Sequence, residues 1–225
     1  MSKFRVMLLA AGLGLAGVAA PRAWAASDQQ QVVDRARLTI EDMMKDREFG
    51  NSPQLLRRAR AVMIIPRIFK AGFFFGGAGG QGVLLARDGA GWSNPAFYTI
   101  GSASFGLQIG AQESEMILFI MSPKALSAVM HNQFKVGAEA GLAVVTLGSS
   151  AEAATAGNLN ADIIAWASST GAFAGISLDG SILKPDHGDD RAYYGRPLTT
   201  SEIVFRHAGM NAGADGLRRS LSVAG

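Results

Sequence analysis

From residue 61 to residue 121 the chain carries no helical period. Short apolar segments, 61–65, 73–75, 82–87, 96–100, 105–111 and 115–121, alternate with Gly, Pro, Asn and Ser at a spacing of about ten residues. Segments this short are too brief for packed helices and suit strands that turn back on one another. Residues 142–147, 162–168 and 173–183 repeat the pattern further on. The middle of the chain therefore predicts antiparallel β-structure, and the 28 glycines allow its sheet to bend sharply.

Helices are expected on either side of this region and once within it. Residues 27–47 place Val32, Val33, Ala36, Ile40, Met43 and Met44 at helical spacing, with Ser27 or Asp28 as cap and Gly50-Asn51 as stop. Residues 53–59 form a short second helix with Pro53 at its first position. Residues 123–133 read as a helix inserted between strands. Pro66 is expected to stop the strand over 61–65. Tyr193-Tyr194-Gly195 reads as loop, 200–206 as a short helix or strand, and everything from Ala208 on as a frayed tail.

The N-terminus has the form of a secretory signal: Lys3 and Arg5, an apolar run over 6–20, then Ala23-Trp24-Ala25. Cleavage after Ala25 would remove Lys3, Arg5 and Arg22 and no acid. The 21 basic residues then fall to 18 against 18 acids, and the net charge of +3 goes to zero. The general basicity that would suggest a nucleic-acid partner disappears with it. Export implies a periplasmic protein, and with no cysteine the fold has to be held by its core rather than by disulfides. The expected organisation is a signal peptide over 1–25, one domain over 26–207 and a flexible tail over 208–225.

Gly77-x-Gly79-x-x-Gly82 matches the spacing of a dinucleotide fingerprint. That chemistry needs a helix directly after the glycines and an acid about twenty residues on. Val83 to Asp88 is too short for such a helix, and the next acid after Asp88 is Glu113. The glycines read instead as a tight turn between strands. No nucleophile elbow, Walker loop or His pair at metal-ligand spacing occurs. The densest set of candidate ligands, Asp186-His187-Gly188-Asp189-Asp190, reads as a solvated turn. Neither cofactor nor metal is expected, and the chain reads as a non-enzyme.

The charge distribution is more specific. No acid stands between Glu48 and Asp88, while Arg57, Arg58, Arg60, Arg67, Lys70 and Arg87 do. Leu55, Leu56, Ile68 and Phe69 are interleaved with them. Cations beside apolar side chains suit an anionic lipid surface. The same residues suit a solvated helix face over a core built from those Leu and Phe side chains, and both readings stand at this point.

Several ordered motifs resemble the SYLF domain family, also called the Ysc-type actin-binding domain in fungi. They are Ala61-Val62-Met63-Ile64-Ile65-Pro66, Lys70-Ala71-Gly72-Phe73-Phe74-Phe75-Gly76-Gly77, Gly80-x-Gly82-Val83-Leu84 and Trp92-Ser93-x-Pro95-Ala96-Phe97. Further along come Ser104-Phe105-Gly106-x-Gln108-Ile109-Gly110-Ala111-Gln112, the Gly-rich run from Gly171 to Ser181, and Tyr193-Tyr194-Gly195. The resemblance covers about 31–206. It implies a binding domain whose eukaryotic members take phosphoinositides and other anionic lipids through basic residues and an amphipathic N-terminal helix, some of them also binding actin and carrying an SH3 domain. By region it implies lipid-binding roles for Arg57, Arg58, Arg60, Arg67 and Lys70. No SH3 domain is read in these residues, and an exported bacterial member meets no actin. The ligand expected is then an anionic phospholipid of the envelope, such as phosphatidylglycerol or cardiolipin.

The expected fold is α+β: one domain with a strongly curved, barrel-like antiparallel sheet covered by the N-terminal helices and the inserted helix. Three rival readings stay open. They are a module binding a protein partner through the same surface, an enzyme centred on residues 186–190, and an outer-membrane barrel. The barrel suits the sequence least, because residues 115–121 are apolar on both faces.

Overall fold

The computed structural model describes residues 27–46, 52–72, 75–105, 110–131, 133–136, 144–147, 161–170 and 181–225. The expected signal segment, Phe73 and Phe74, and most of the glycine-rich run after Gly171 lie outside them.

The fold is a single α+β domain. Its helices are α1 (Asp28–Lys45), α2 (Ser52–Arg58), α3 (Pro123–Met130), α4 (His187–Tyr194), α5 (Thr200–Phe205) and α6 (Asp215–Ala224). Its strands are β1 (Ala61–Gly72), β2 (Phe75–Asp88), β3 (Gly91–Trp92), β4 (Ala96–Phe105), β5 (Gly110–Ile120), β6 (Phe134–Lys135), β7 (Val144–Leu147), β8 (Ile163–Thr170) and β9 (Ile182–Pro185). They join in the order β6-β9-β4-β2-β1-β5-β8-β7, with β3 beside β2, and curl into a half-barrel. Every pairing is antiparallel except that of β7 with β8. No helix among the described residues is long and apolar enough to cross a membrane.

The apolar runs are continuous because the sheet is covered on both faces. Alternate side chains point to opposite sides of a strand. Val62, Ile64, Val83, Leu85, Phe97, Ile117 and Phe119 pack under α1, α2, α4 and α6. Their neighbours Met63, Ile65, Leu84, Tyr98, Met116 and Leu118 pack under α3 and α5.

Pro66 does not end β1. The strand runs on through a bulge: two residues, Ile65 and Pro66, face one residue of β2, and the register with β5 slips between Ile65 and Ile68 as well. A central strand can hold proline at such a place because the bulge releases one ladder N–H. The extra residue also reverses the face. Before it, odd-numbered Ala61, Met63 and Ile65 line the α3–α5 core. After it, even-numbered Ile68 does, and Arg67 and Phe69 turn to the exposed side.

This bulge explains the glycine spacing. The fingerprint lies inside β2, which pairs with β1 and β4 along its length and leads to no helix. A Cβ at Gly82 would sit 2.6 Å from the Ile64 carbonyl oxygen and 2.9 Å from Ile65 Cγ1, and one at Gly80 would press on the Arg67 carbonyl. The two glycines let β1 kink against β2.

Other expectations need correction. Of the expected segment 105–111, Phe105 stands in β4 opposite Phe75, Gly110 and Ala111 stand in β5 opposite Gly72 and Ala71, and residues 106–109 lie outside the described residues. Tyr193 and Tyr194 belong to α4, whose C-cap Gly195 is left-handed at φ 70°. The frayed tail is in fact a 3-10 turn (Ala212–Ala214) followed by α6, which lies on α1, α2 and β3 and buries Leu217, Leu221 and Ala224. The signal was present as Leu217, Leu221 and Ala224 at helical spacing, masked by the surrounding Gly, Ala and Ser.

Two stability outcomes follow from this packing. Gly82→Ala should cost about 1–3 kcal/mol by overpacking against backbone, whereas Gly89→Ala, with nothing within 4 Å of the added Cβ, should stay within about 0.5 kcal/mol of wild type. Urea unfolding of both variants measures the contrast. Leu221→Ala should lose about 2–5 kcal/mol as a buried large-to-small change, and Met210→Ala, at a side chain 95% exposed, almost nothing.

Candidate functional site

The acid-free stretch divides into two groups in space. Helix α2 is anchored by Leu55 and Leu56, both buried, and its last turn presents Arg57 and Arg58 to solvent. Cations at a helix C-terminus are also favoured by the exposed carbonyls there. Arg60 follows in the link to β1. Its backbone is held on both sides: its N–H donates to the Ile120 carbonyl at 2.9 Å, and its carbonyl accepts from the Arg87 N–H at 2.7 Å. Its side chain is exposed. Arg87 closes the end of α2 by donating to the Leu56 carbonyl at 3.3 Å, with its guanidinium 5.9 Å from the centre of the Trp92 ring.

Arg67 and Lys70 do not join this group. Seven residues of strand, at about 3.3 Å each, put Arg67 roughly 20 Å from Arg60. Arg67 also forms a two-pronged bond with Glu113, Nε to Oε1 at 2.9 Å and an Nη to Oε2 at 3.0 Å. Its charge is thereby answered on the adjacent strand. Lys70 pairs through its backbone with Ala78 and Gln112, and its side chain lies outside the described set.

A groove of about 570 Å³ opens beside Arg60. Its walls are Ala86, Leu126, Met130, Val204 and Phe205, supplied by β2, α3 and α5, and Arg60 and Arg87 stand at its rim. Phe205 is 54% exposed there. Asp88 also reaches the groove, but His207 Nε2 lies 2.7 Å from its Oδ2 and the Ala90 N–H donates to its Oδ1. The sequence gives no spacing signal for this groove, because its walls come from elements far apart in the chain.

The acidic cluster is not a solvated turn. Asp186 caps α4 by accepting the Asp189 N–H. Asp189 accepts from the side-chain amides of Gln29 and Gln81 at 2.8 and 2.9 Å. Asp190 is 0% exposed; its Oδ1 accepts the Phe97 N–H at 2.9 Å and its Oδ2 lies 3.5 Å from His187 Nδ1. These carboxylates join α4 to α1, β2 and β4. No group of three or more His, Cys, Asp or Glu placed to hold a metal ion occurs among the described residues.

A family model described as Ysc84, Las17-binding protein actin regulator, matches residues 101–224. The chain belongs to the Ysc84 family. The family match runs to the end of α6, so the terminal helix is part of the domain and not an appendage at residue 208. Protein YSC84 of Saccharomyces cerevisiae is 32% identical over 175 residues, which are 75% of this chain and 37% of that protein. SH3 domain-containing protein PJ696.02 of Schizosaccharomyces pombe is 30% identical over 76% of this chain and 40% of its own length. SH3 domain-containing YSC84-like protein 1 of Homo sapiens is 29% identical over 67% and 44%. The chain thus spans less than half the length of these Ysc84-family relatives.

Burial pushes the Asp190 carboxyl up to about 6 from an ordinary value of 3.8, against the opposing pull of the Phe97 N–H and of His187. The folded chain then holds this proton more tightly than the unfolded chain does. Its stabilising contribution is complete below about pH 4 and is lost as the pH rises to about 6. Asp190→Asn keeps the acceptor for Phe97 and removes the titration. The stability of wild type relative to this variant should fall by up to about 3 kcal/mol between pH 4 and pH 7, read from urea unfolding at each pH. A difference that stays flat would contradict the assignment.

Proposed function

We propose that this domain binds anionic phospholipid without catalysis, through Arg57, Arg58 and Arg60, at an envelope membrane facing the periplasm. The observation that carries the reading is the pairing of exposed cations with a fixed backbone. Leu55 and Leu56 are buried, the Arg60 backbone is bonded on both sides, and the three guanidinium groups project from that support. Little ordering entropy is spent on the backbone when a charged surface is met. Phe205, exposed at the lip of the adjoining groove, adds an apolar contact. Arg67, answered by Glu113, and Lys70, further along the same strand, stand apart from these three.

A protein partner at the same surface is the alternative. LAS seventeen-binding protein 3 of Saccharomyces cerevisiae, 32% identical over 68% of this chain, is named for a protein partner. The periplasmic setting rests on the signal-like residues 1–25 alone.

Vesicle flotation over a salt series separates the two. Each cation near an anionic surface contributes about 1 kcal/mol, so changing Arg57, Arg58 and Arg60 together to Ala should weaken binding roughly 100-fold at low salt. Wild-type binding should fall as salt screens the surface. A circular-dichroism melt confirms that the variant is folded. Equal binding to neutral and anionic vesicles, or none to either, would turn the search to the protein partner.

A further inference from the structure

The groove beside Arg60 has a chemistry of its own. Its walls are apolar and partly continuous with the core: Ala86, Leu126 and Val204 are buried core residues, while Phe205 and Met130 form the more accessible side. Its volume of about 570 Å³ falls in the range of sites that enclose small ligands, roughly 300–1,000 Å³. Arg87 spends one N–H on the Leu56 carbonyl, which leaves others of its five donors available. The carboxylate at the mouth, Asp88, is engaged by His207 and the Ala90 N–H. Pro123, Ser127, His131 and Ser201 complete the lining. Two arginines against one carboxylate leave the charged groups net cationic beside a mainly apolar wall, the complement of a chain with an anionic head.

We propose that this groove takes a single acyl chain bearing an anionic head, a fatty-acid-like carboxylate, with the chain against Leu126, Met130, Val204 and Phe205 and the head held by Arg60 and Arg87. The inference deepens the lipid reading, on which it rests for the class of ligand. It differs in kind from surface adhesion, because one monomeric amphiphile would be bound with no bilayer present.

The test is isothermal titration of the protein with monomeric decanoate and with 1-decanol, which has the same chain length and no charge. Decanoate should bind, 1-decanol about tenfold or more weakly, and Arg60→Gln should bring decanoate down by about tenfold, as loss of a charge-assisted bond does. Met130→Trp fills the groove and should abolish decanoate binding while flotation on anionic vesicles persists, carried by Arg57 and Arg58, which lie outside it. Phe205→Ser, at a half-exposed side chain, tests the same wall without burdening the core and should weaken decanoate. In labelled wild type, decanoate should move the Met130 methyl resonance and leave that of Met44, on α1, in place. No binding of decanoate, equal binding of 1-decanol, or binding that neither groove variant weakens and that leaves the Met130 methyl unmoved would overturn the proposal. Surface lipid binding would then stand or fall by flotation alone.

Discussion

Strand β1 has to bury both of its faces and pair along both of its edges. Between β2 and β5 it has no free ladder, and above and below it lie the two cores under the two helical layers. Such a strand can be apolar throughout only until it emerges from the cores. The bulge at Ile65 and Pro66 marks that point. It reverses the faces, so that beyond it Ile68 still points inward while Arg67 and Phe69 point out. Gly80 and Gly82 are the other half of the same device, because any side chain there would meet the kinked backbone.

The start of β1 is equally constrained, and the cationic site depends on it. Arg60 closes hydrogen bonds to both neighbouring strands, and α2, packed on α1 and α6, leads straight into it. Leu55 and Leu56 point into the core from one side of α2, which leaves Arg57 and Arg58 outside. The position of the arginines is thus a by-product of core packing. Arg87 is also exposed but is held in part. It belongs to the same acid-free stretch, yet its guanidinium is bound to the end of α2 and to Trp92.

The acidic residues on α4 follow the same logic on the same face of the sheet. Asp190 is fully buried, and burial costs a carboxylate dearly; the Phe97 N–H bonds one oxygen, and the other has no hydrogen bond and only His187 at 3.5 Å. Asp189 fastens α4 to α1 and β2 through two glutamines. Tyr193 and Tyr194 complete the joint, with their rings 5.0 Å apart and the Tyr194 hydroxyl donating to the Pro95 carbonyl. What looks like a hydrated loop in the sequence is a seam of the fold.

The sequence by itself determined the α+β class, helices α1 to α3, the core strands and the family, since those rest on local periodicity and on ordered motifs. It also singled out Arg57, Arg58, Arg60, Arg67 and Lys70 together, through an uninterrupted lack of acids. It could not show that Pro66 sits in a bulge, because a bulge is a relation between neighbouring strands. Nor could it separate Arg67, whose partner Glu113 lies on another strand, from Arg60, which is close in sequence but roughly 20 Å away along β1. The groove and the burial of Asp190 were out of reach for the same reason. Each is made by elements distant in the chain, and only their packing decides which polar groups meet water and which meet one another.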